Sequence, residues 1–145
     1  MRLEPLYRME FSYPDGWSVA PDGDGSESTH LFFADGRCEG RLSGVLRGAN
    51  HPRRRADGTF CPDFHGAIVT DEGATVLFQC GGYGRAHPVG ARQVVCWLTH
   101  LSDDERFRWL NDVVCVGTGE VRPDRLSIDV AELVWEPSTW SSPGA

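Results

Sequence analysis

The chain has no long apolar run, no cysteine pair and few helix signals, and each absence removes a class of protein. No stretch approaches the roughly 18 consecutive apolar residues that a membrane-spanning helix needs. The opening residues, MRLEPLYRMEF, lack the apolar segment of a secretion signal. Cysteines stand at Cys38, Cys61, Cys80, Cys96 and Cys115, an odd number with no C-x-x-C spacing. That pattern predicts free, buried thiols in a reducing cytoplasm, not a disulfide framework or a zinc knuckle. His30, His51, His65, His87 and His100 are scattered, without H-x-H or H-E-x-x-H, so no metal is expected. Asp22, Asp24 and Ser26 alternate like the start of a calcium loop, but Glu27 and Phe33 stand where such a loop needs Gly and Glu. G-x-S-x-G is absent, and Gly81-Gly82-Tyr83-Gly84 lacks the dinucleotide-binding spacing. No cofactor is expected. The net charge of −7 and pI near 5.1 disfavour nucleic acid and anionic membrane as partners.

What the chain does contain is strand. Its 145 residues suit one domain, with glycine (17) and proline (9) supplying many turns. Tyr7, Met9, Phe11 and Tyr13 alternate with Arg8, Glu10 and Ser12, the period of a half-buried strand that ends at Pro14-Asp15-Gly16. THLFFA (29–34) predicts a second strand, and Asp35-Gly36 offers a two-residue hairpin turn into a third, 37–47. A loop at 48–58 carries Arg53, Arg54 and Arg55. The next strand, 59–70, puts Phe60, Phe64 and Ile68 on one face and Cys61, Asp63 and His65 on the other. ATVLFQC (74–80) and ARQVVCWLTH (91–100) predict further strands, separated by a loop at 81–84. Ser102 and Glu105 form a capping-box pattern for a short helix at 103–110, with Asn111 as its C-terminal cap. Strands at 112–116 and 126–135 flank Gly117-Thr118-Gly119, and a Ser/Pro-rich tail follows. The prediction is an all-β domain over 1–136, a single antiparallel closed β-barrel of about eight strands with one short helix, and a loosely held tail at 137–145.

EGRLSGVLRGAN (39–50), ADGTF (56–60), TDEGA (70–74), RWLNDVVCVGTGEV (108–121) and DVAELV (129–134), with the opening LEPLYRMEF, resemble the DUF3237 (UPF0311) family in chain order over almost the full length. The resemblance implies a barrel similar to the allene oxide cyclase and calycin-like barrels, some of which are cofactor-free cyclases and others small-molecule binders. The family pattern has an Asp-Trp pair where this chain has Asn50 and His51, and an Arg where it has His65.

A barrel of eight strands is just wide enough to be filled by side chains or to hold one small ligand. Asp63 and His65 lie two apart on one strand, so both project to the same side. If that side is the interior, His65 is the general base and Asp63 its orienting acid; if it is the exterior, both are solvated. Arg41, Asn50, His51, Tyr83 and Trp97 are the candidates for positioning a substrate. The function expected is a cofactor-independent cyclase, isomerase or lyase acting by acid–base chemistry on a small, largely apolar metabolite; the alternative is a non-catalytic carrier of a small hydrophobic ligand. A small molecule is the expected partner, and apolar residues on edge strands are compatible with a homodimer.

Overall fold

Alternation of inward and outward side chains, broken by register slips in the first strand, carries the chain through eight antiparallel strands that close on themselves. The computed structural model describes residues 1–23, 25–86 and 92–144. Asp24 of the calcium-like loop and His87 lie outside the described residues.

The strands are β1 (Arg2–Val19), β2 (Ser28–Gly40), β3 (Gly44–Asn50), β4 (Arg53–Arg54), β5 (Phe60–Cys61), β6 (Asp63–Thr70), β7 (Thr75–Ala86), β8 (Arg92–Leu101), β9 (Cys115–Val121) and β10 (Leu126–Val134). Closure runs β1-β2-β3-β6-β7-β8-β9-β10 and back to β1, every pair antiparallel. Pro52 and Pro62 cannot donate to a ladder, so they cut the β3 and β6 ends into the short pieces β4 and β5. Pairing survives the break. Arg53 and Arg54 stay against Thr29 and Ser28 of β2, and Phe60 stays opposite Gly84 of β7. The β3–β6 hairpin therefore bends where the barrel opens, and Phe60 comes with it.

Local signals and observed elements differ where a residue serves a neighbouring strand. Asp35-Gly36 makes no turn; β2 runs straight through it, and the reversal comes at residues 41–43. A Cβ on Gly36 would lie 2.1 Å from the Glu10 carbonyl oxygen and 2.6 Å from the Phe11 Cα, so this glycine serves close approach to β1. Pro14-Asp15-Gly16 likewise does not end β1. The register with β2 slips between Ser12 and Asp15, and the strand continues to Val19. Residues 81–84 lie within β7, paired with β8, and Gly117-Thr118-Gly119 lies within β9. The expected helix at 103–110 is a turn leading into a 3-10 helix, Arg108–Asp112. Ser102 Oγ accepts the Asp104 N–H at 3.2 Å but donates to the Thr75 carbonyl at 2.7 Å, while the Asp104 carboxylate is held by Arg106. Asn111 is no C-cap; its amide grips both the N–H and C=O of Ser102, at 2.8 and 2.9 Å.

One end of the barrel is plugged. Leu42 from the β2–β3 turn and Leu110 from the 3-10 helix are almost fully buried there, over Leu6, Leu46, Ile68, Val76 and Leu98. A polar group sits inside this packing. Tyr7 Oη and His100 Nε2 are 2.7 Å apart, and His100 Nδ1 is 3.9 Å from the Cys115 sulfur, all three residues being buried. Burial pushes the Tyr7 hydroxyl well above its ordinary range and the His100 imidazole down to about 4. The phenol therefore donates to a neutral imidazole. Burial likewise raises the Cys38 and Cys115 thiols, to about 12 and about 11, which marks them as packing groups.

Two predictions follow from this packing. Leu46→Ala, at an inward position, is expected to cost about 2–5 kcal/mol in urea unfolding, whereas Val45→Ala on the opposite face changes stability by no more than about 0.5 kcal/mol. Lowering the pH from about 6.5 to about 4 is expected to remove stability progressively, because the unfolded chain binds the His100 proton in that interval and the folded one does not; the full effect is on the order of 3 kcal/mol, and His100→Gln flattens that part of the stability–pH curve.

Candidate functional site

At the other end the barrel stays open. Inward positions nearest the mouth hold Phe11 and Tyr13 on β1, Phe32 on β2, Asn50 on β3, Phe60 on β5 and Phe64 on β6, and these line a cavity of about 560 Å³. Met9, Cys80, Val94 and Ile128 line it as well, so most of its surface is apolar. The rings form a continuous run. Phe78 and Phe64 lie 5.1 Å apart between centroids, Phe64 and Phe11 5.3 Å, Phe11 and Tyr13 5.7 Å, and Tyr13 and Phe32 4.7 Å. His30 extends the run, stacked at 5.3 Å on both Phe32 and Phe60. A wall of fixed aromatic rings favours flat, apolar ligands.

Two polar features interrupt this wall. The first is a hydrogen-bonded chain from β6 to β1. Asp63 N–H donates to Asn50 Oδ1 at 3.1 Å, which orients the amide, and Asn50 Nδ2 then donates to Tyr13 Oη at 2.8 Å. Tyr13 thus accepts from Asn50 and keeps its own proton, with no other hydrogen-bond partner among the described residues. Burial holds that phenol protonated, pushed up to about 12, with the Asn50 hydrogen bond opposing only in part. The second feature is Arg92 at the start of β8, whose guanidinium carbon lies 3.7 Å above the centre of the Phe60 ring. Burial, and then the nearby Arg54, lower its pKa; an arginine nonetheless stays charged. His30 is lowered too, by burial first and then by Arg92 and Arg54. Its nitrogens face Ser18 Oγ at 2.5 Å and Ser28 Oγ at 2.8 Å.

Of the residues expected from sequence, Asn50 alone lines the cavity. Asp63 and His65 do form a hydrogen bond, His65 Nε2 to Asp63 Oδ1 at 2.8 Å, but their side chains are 60% and 58% exposed on the outer face. Phe64 takes the inward position between them, so alternation turns the pair to water. His51 is exposed, its N–H bound to the Asp63 carbonyl. Arg41 is at the plugged end, in the β2–β3 turn, where it pairs with Glu132 at 3.0 Å and lies over Trp109. Tyr83 and Trp97 are on the outer wall: Trp97 covers Gly81, and Arg55 lies 5.8 Å from the Tyr83 ring centre.

Tyr13, Phe32 and Arg92 are the site residues that sequence reasoning missed. A signal for each was present. Tyr13 continues the inward series of Met9 and Phe11, and Arg92 has the parity of Val94, Cys96 and Leu98. A charged residue at an inward position of an otherwise apolar strand is the cue that could have found it.

A search of solved structures returns proteins of the same architecture. A β-barrel-like protein from Acinetobacter baumannii superposes with a TM-score of 0.81 at 19% identity, over 90% of this chain and 94% of that one. A protein of unknown function from Clostridium acetobutylicum gives 0.82 at 16% identity, over 92% and 100%. An enzyme from Penicillium herquei gives 0.69 at 23% identity, over 90% and 94%. No curated protein sequence matches the chain. The family model described as "Protein of unknown function (DUF3237)" matches residues 1–133, and the chain belongs to that family.

Proposed function

We propose that the protein takes a small, largely apolar metabolite into the mouth of the barrel and acts on it by acid–base chemistry, as a cofactor-independent cyclase, isomerase or lyase. The observation that carries this reading is the Tyr13 hydroxyl: protonated, oriented through Asn50, and facing an aromatic-lined cavity. A phenol so placed donates a hydrogen bond to a carbonyl or ether oxygen of the ligand. Cyclisations and isomerisations that pass through an enolate-like or oxyanion state gain from a fixed donor aimed at the oxygen where charge develops. Asn50 is then a positioning residue, holding the Tyr13 oxygen without competing for its proton. The surrounding rings exclude water and so strengthen that hydrogen bond.

In this reading the Asp63–His65 pair takes no part, as both side chains lie exposed on the outer face, away from the cavity lining. A non-catalytic carrier of a small hydrophobic ligand is the second reading. It is favoured by His30, stacked on Phe32 and Phe60 of the cavity wall, whose nitrogens both face serine hydroxyls and whose pKa burial and then two guanidinium groups lower.

Incubation with a metabolite extract followed by mass spectrometry separates the two. Conversion of a retained compound is expected, with Tyr13→Phe slowing turnover by about 10²-fold and weakening binding far less. His65→Ala is expected to leave both unchanged. Saturable binding without product identifies the carrier, and full turnover by Tyr13→Phe removes the assigned role of the phenol.

A further inference from the structure

We infer that the ligand of this cavity is an acid: a largely apolar, aromatic-sized body bearing one carboxylate, which Arg92 anchors. The inference rests on the reading of the cavity as a ligand site and adds the class of compound it selects.

Arg92 is unlike the other arginines of the chain. Ten of them hold an Asp or Glu carboxylate, namely Arg2, Arg8, Arg37, Arg41, Arg47, Arg55, Arg106, Arg108, Arg122 and Arg125. Arg54 is bound to the carbonyls of Gly25 and Ser26 at 2.7 and 2.8 Å. Arg53 and Arg85 are exposed to water. Arg92 is half-buried, and no described carboxylate lies within ion-pairing distance of it.

Its position is built by its neighbours. Arg92 has the inward parity of β8, opposite the β7 end that carries Gly84. A Cβ on Gly84 would meet Arg92 Cδ at 3.2 Å and Cγ at 3.6 Å, so the missing side chain leaves the notch in which the arginine stem lies. The guanidinium then rests over Phe60, which β5 brings to the mouth. A ring face holds a cation in place without neutralising it.

Chemistry points the same way. A partly desolvated cation is costly unless it meets an anion, and a nearby second cation raises the cost. Arg54 is close enough to disfavour the charge on Arg92, which lacks a described counter-ion of its own. A planar guanidinium matches a carboxylate in two parallel hydrogen bonds. The rest of the mouth is close to balanced: Arg122 and Arg125 line it but are paired with Glu120 and Glu10, so Arg92 is the lining cation left without a described carboxylate. With the carboxylate at Arg92, the ligand's apolar body lies along the Phe60, Phe32 and Phe64 wall toward the Tyr13 hydroxyl.

The test uses two probes of like shape, 1-naphthoate and 1-naphthalenemethanol, titrated calorimetrically into the full chain, Arg92→Gln and Arg85→Gln. Arg85→Gln removes the same charge from an exposed position on β7 and controls for net charge. The wild type and Arg85→Gln are expected to bind the acid about 10-fold or more tightly than the alcohol. Arg92→Gln is expected to lose that preference while its affinity for the alcohol stays within about threefold. Loss of a half-buried cation with no described counter-ion is expected to leave the unfolding midpoint the same or higher, which confirms that the variant is folded. Equal binding of the two probes by the wild type, or a preference retained in Arg92→Gln, overturns the inference and leaves the cavity reading standing. Binding of neither probe by the wild type overturns the cavity reading and the inference with it.

Discussion

The interior of an eight-stranded barrel has a fixed, narrow bore, and every second residue of every strand must fit into it. Here the bore is filled unevenly. At the plugged end Leu42, Leu46, Ile68, Leu98 and Leu110 interdigitate, and a 3-10 helix pinned by Ser102 and Asn111 closes the lid. At the mouth the inward positions pass to large flat rings: Tyr13 and Phe32, and Phe64 and Phe78, pack between neighbouring strands, while Phe11 of β1 stacks on Phe64 of β6 across two intervening strands. A filled barrel would have no room for a ligand. Among the described residues, the cavity lies at the end where aromatics replace aliphatics.

The same constraint places the chemistry. A polar side chain that turns inward must find a partner, and Asn50 and Arg92 answer that demand differently. Asn50 is engaged at both ends of its amide, accepting from the Asp63 N–H and donating to the Tyr13 oxygen, so it fixes Tyr13. Arg92 finds an aromatic face and no described carboxylate. One polar group thus orients its neighbour, and the other rests its charge on a ring face. The buried Tyr7–His100–Cys115 group at the far end is a contrasting case: its members satisfy one another, away from the cavity, and act on stability.

Much of this was legible from local pattern, because alternation is a property of the backbone. Placing Phe64 and Ile68 on one side of β6 already requires Asp63 and His65 to take the other, and once a barrel is granted the apolar side is the inside. Turn chemistry was less dependable. Asp35-Gly36 has the composition of a hairpin, yet Gly36 is needed where β2 presses on β1, a demand invisible from β2 alone. The capping-box pattern at Ser102 and Glu105 failed for a similar reason, since the serine hydroxyl is engaged by Thr75, 27 residues away.

The sequence by itself determined that the chain is built of strands with period-two alternation, the absence of the common metal and nucleotide motifs, and the family, all of which follow from short-range pattern. Only the tertiary structure decided which inward residues share the mouth. Tyr13 and Asn50 are 37 residues apart and meet because β1 and β3 flank β2 in a closed sheet. Arg92 lies over Phe60 because two prolines bend a hairpin toward β7. Such contacts depend on closure and register between distant strands, and no local periodicity encodes which distant residue will stand opposite.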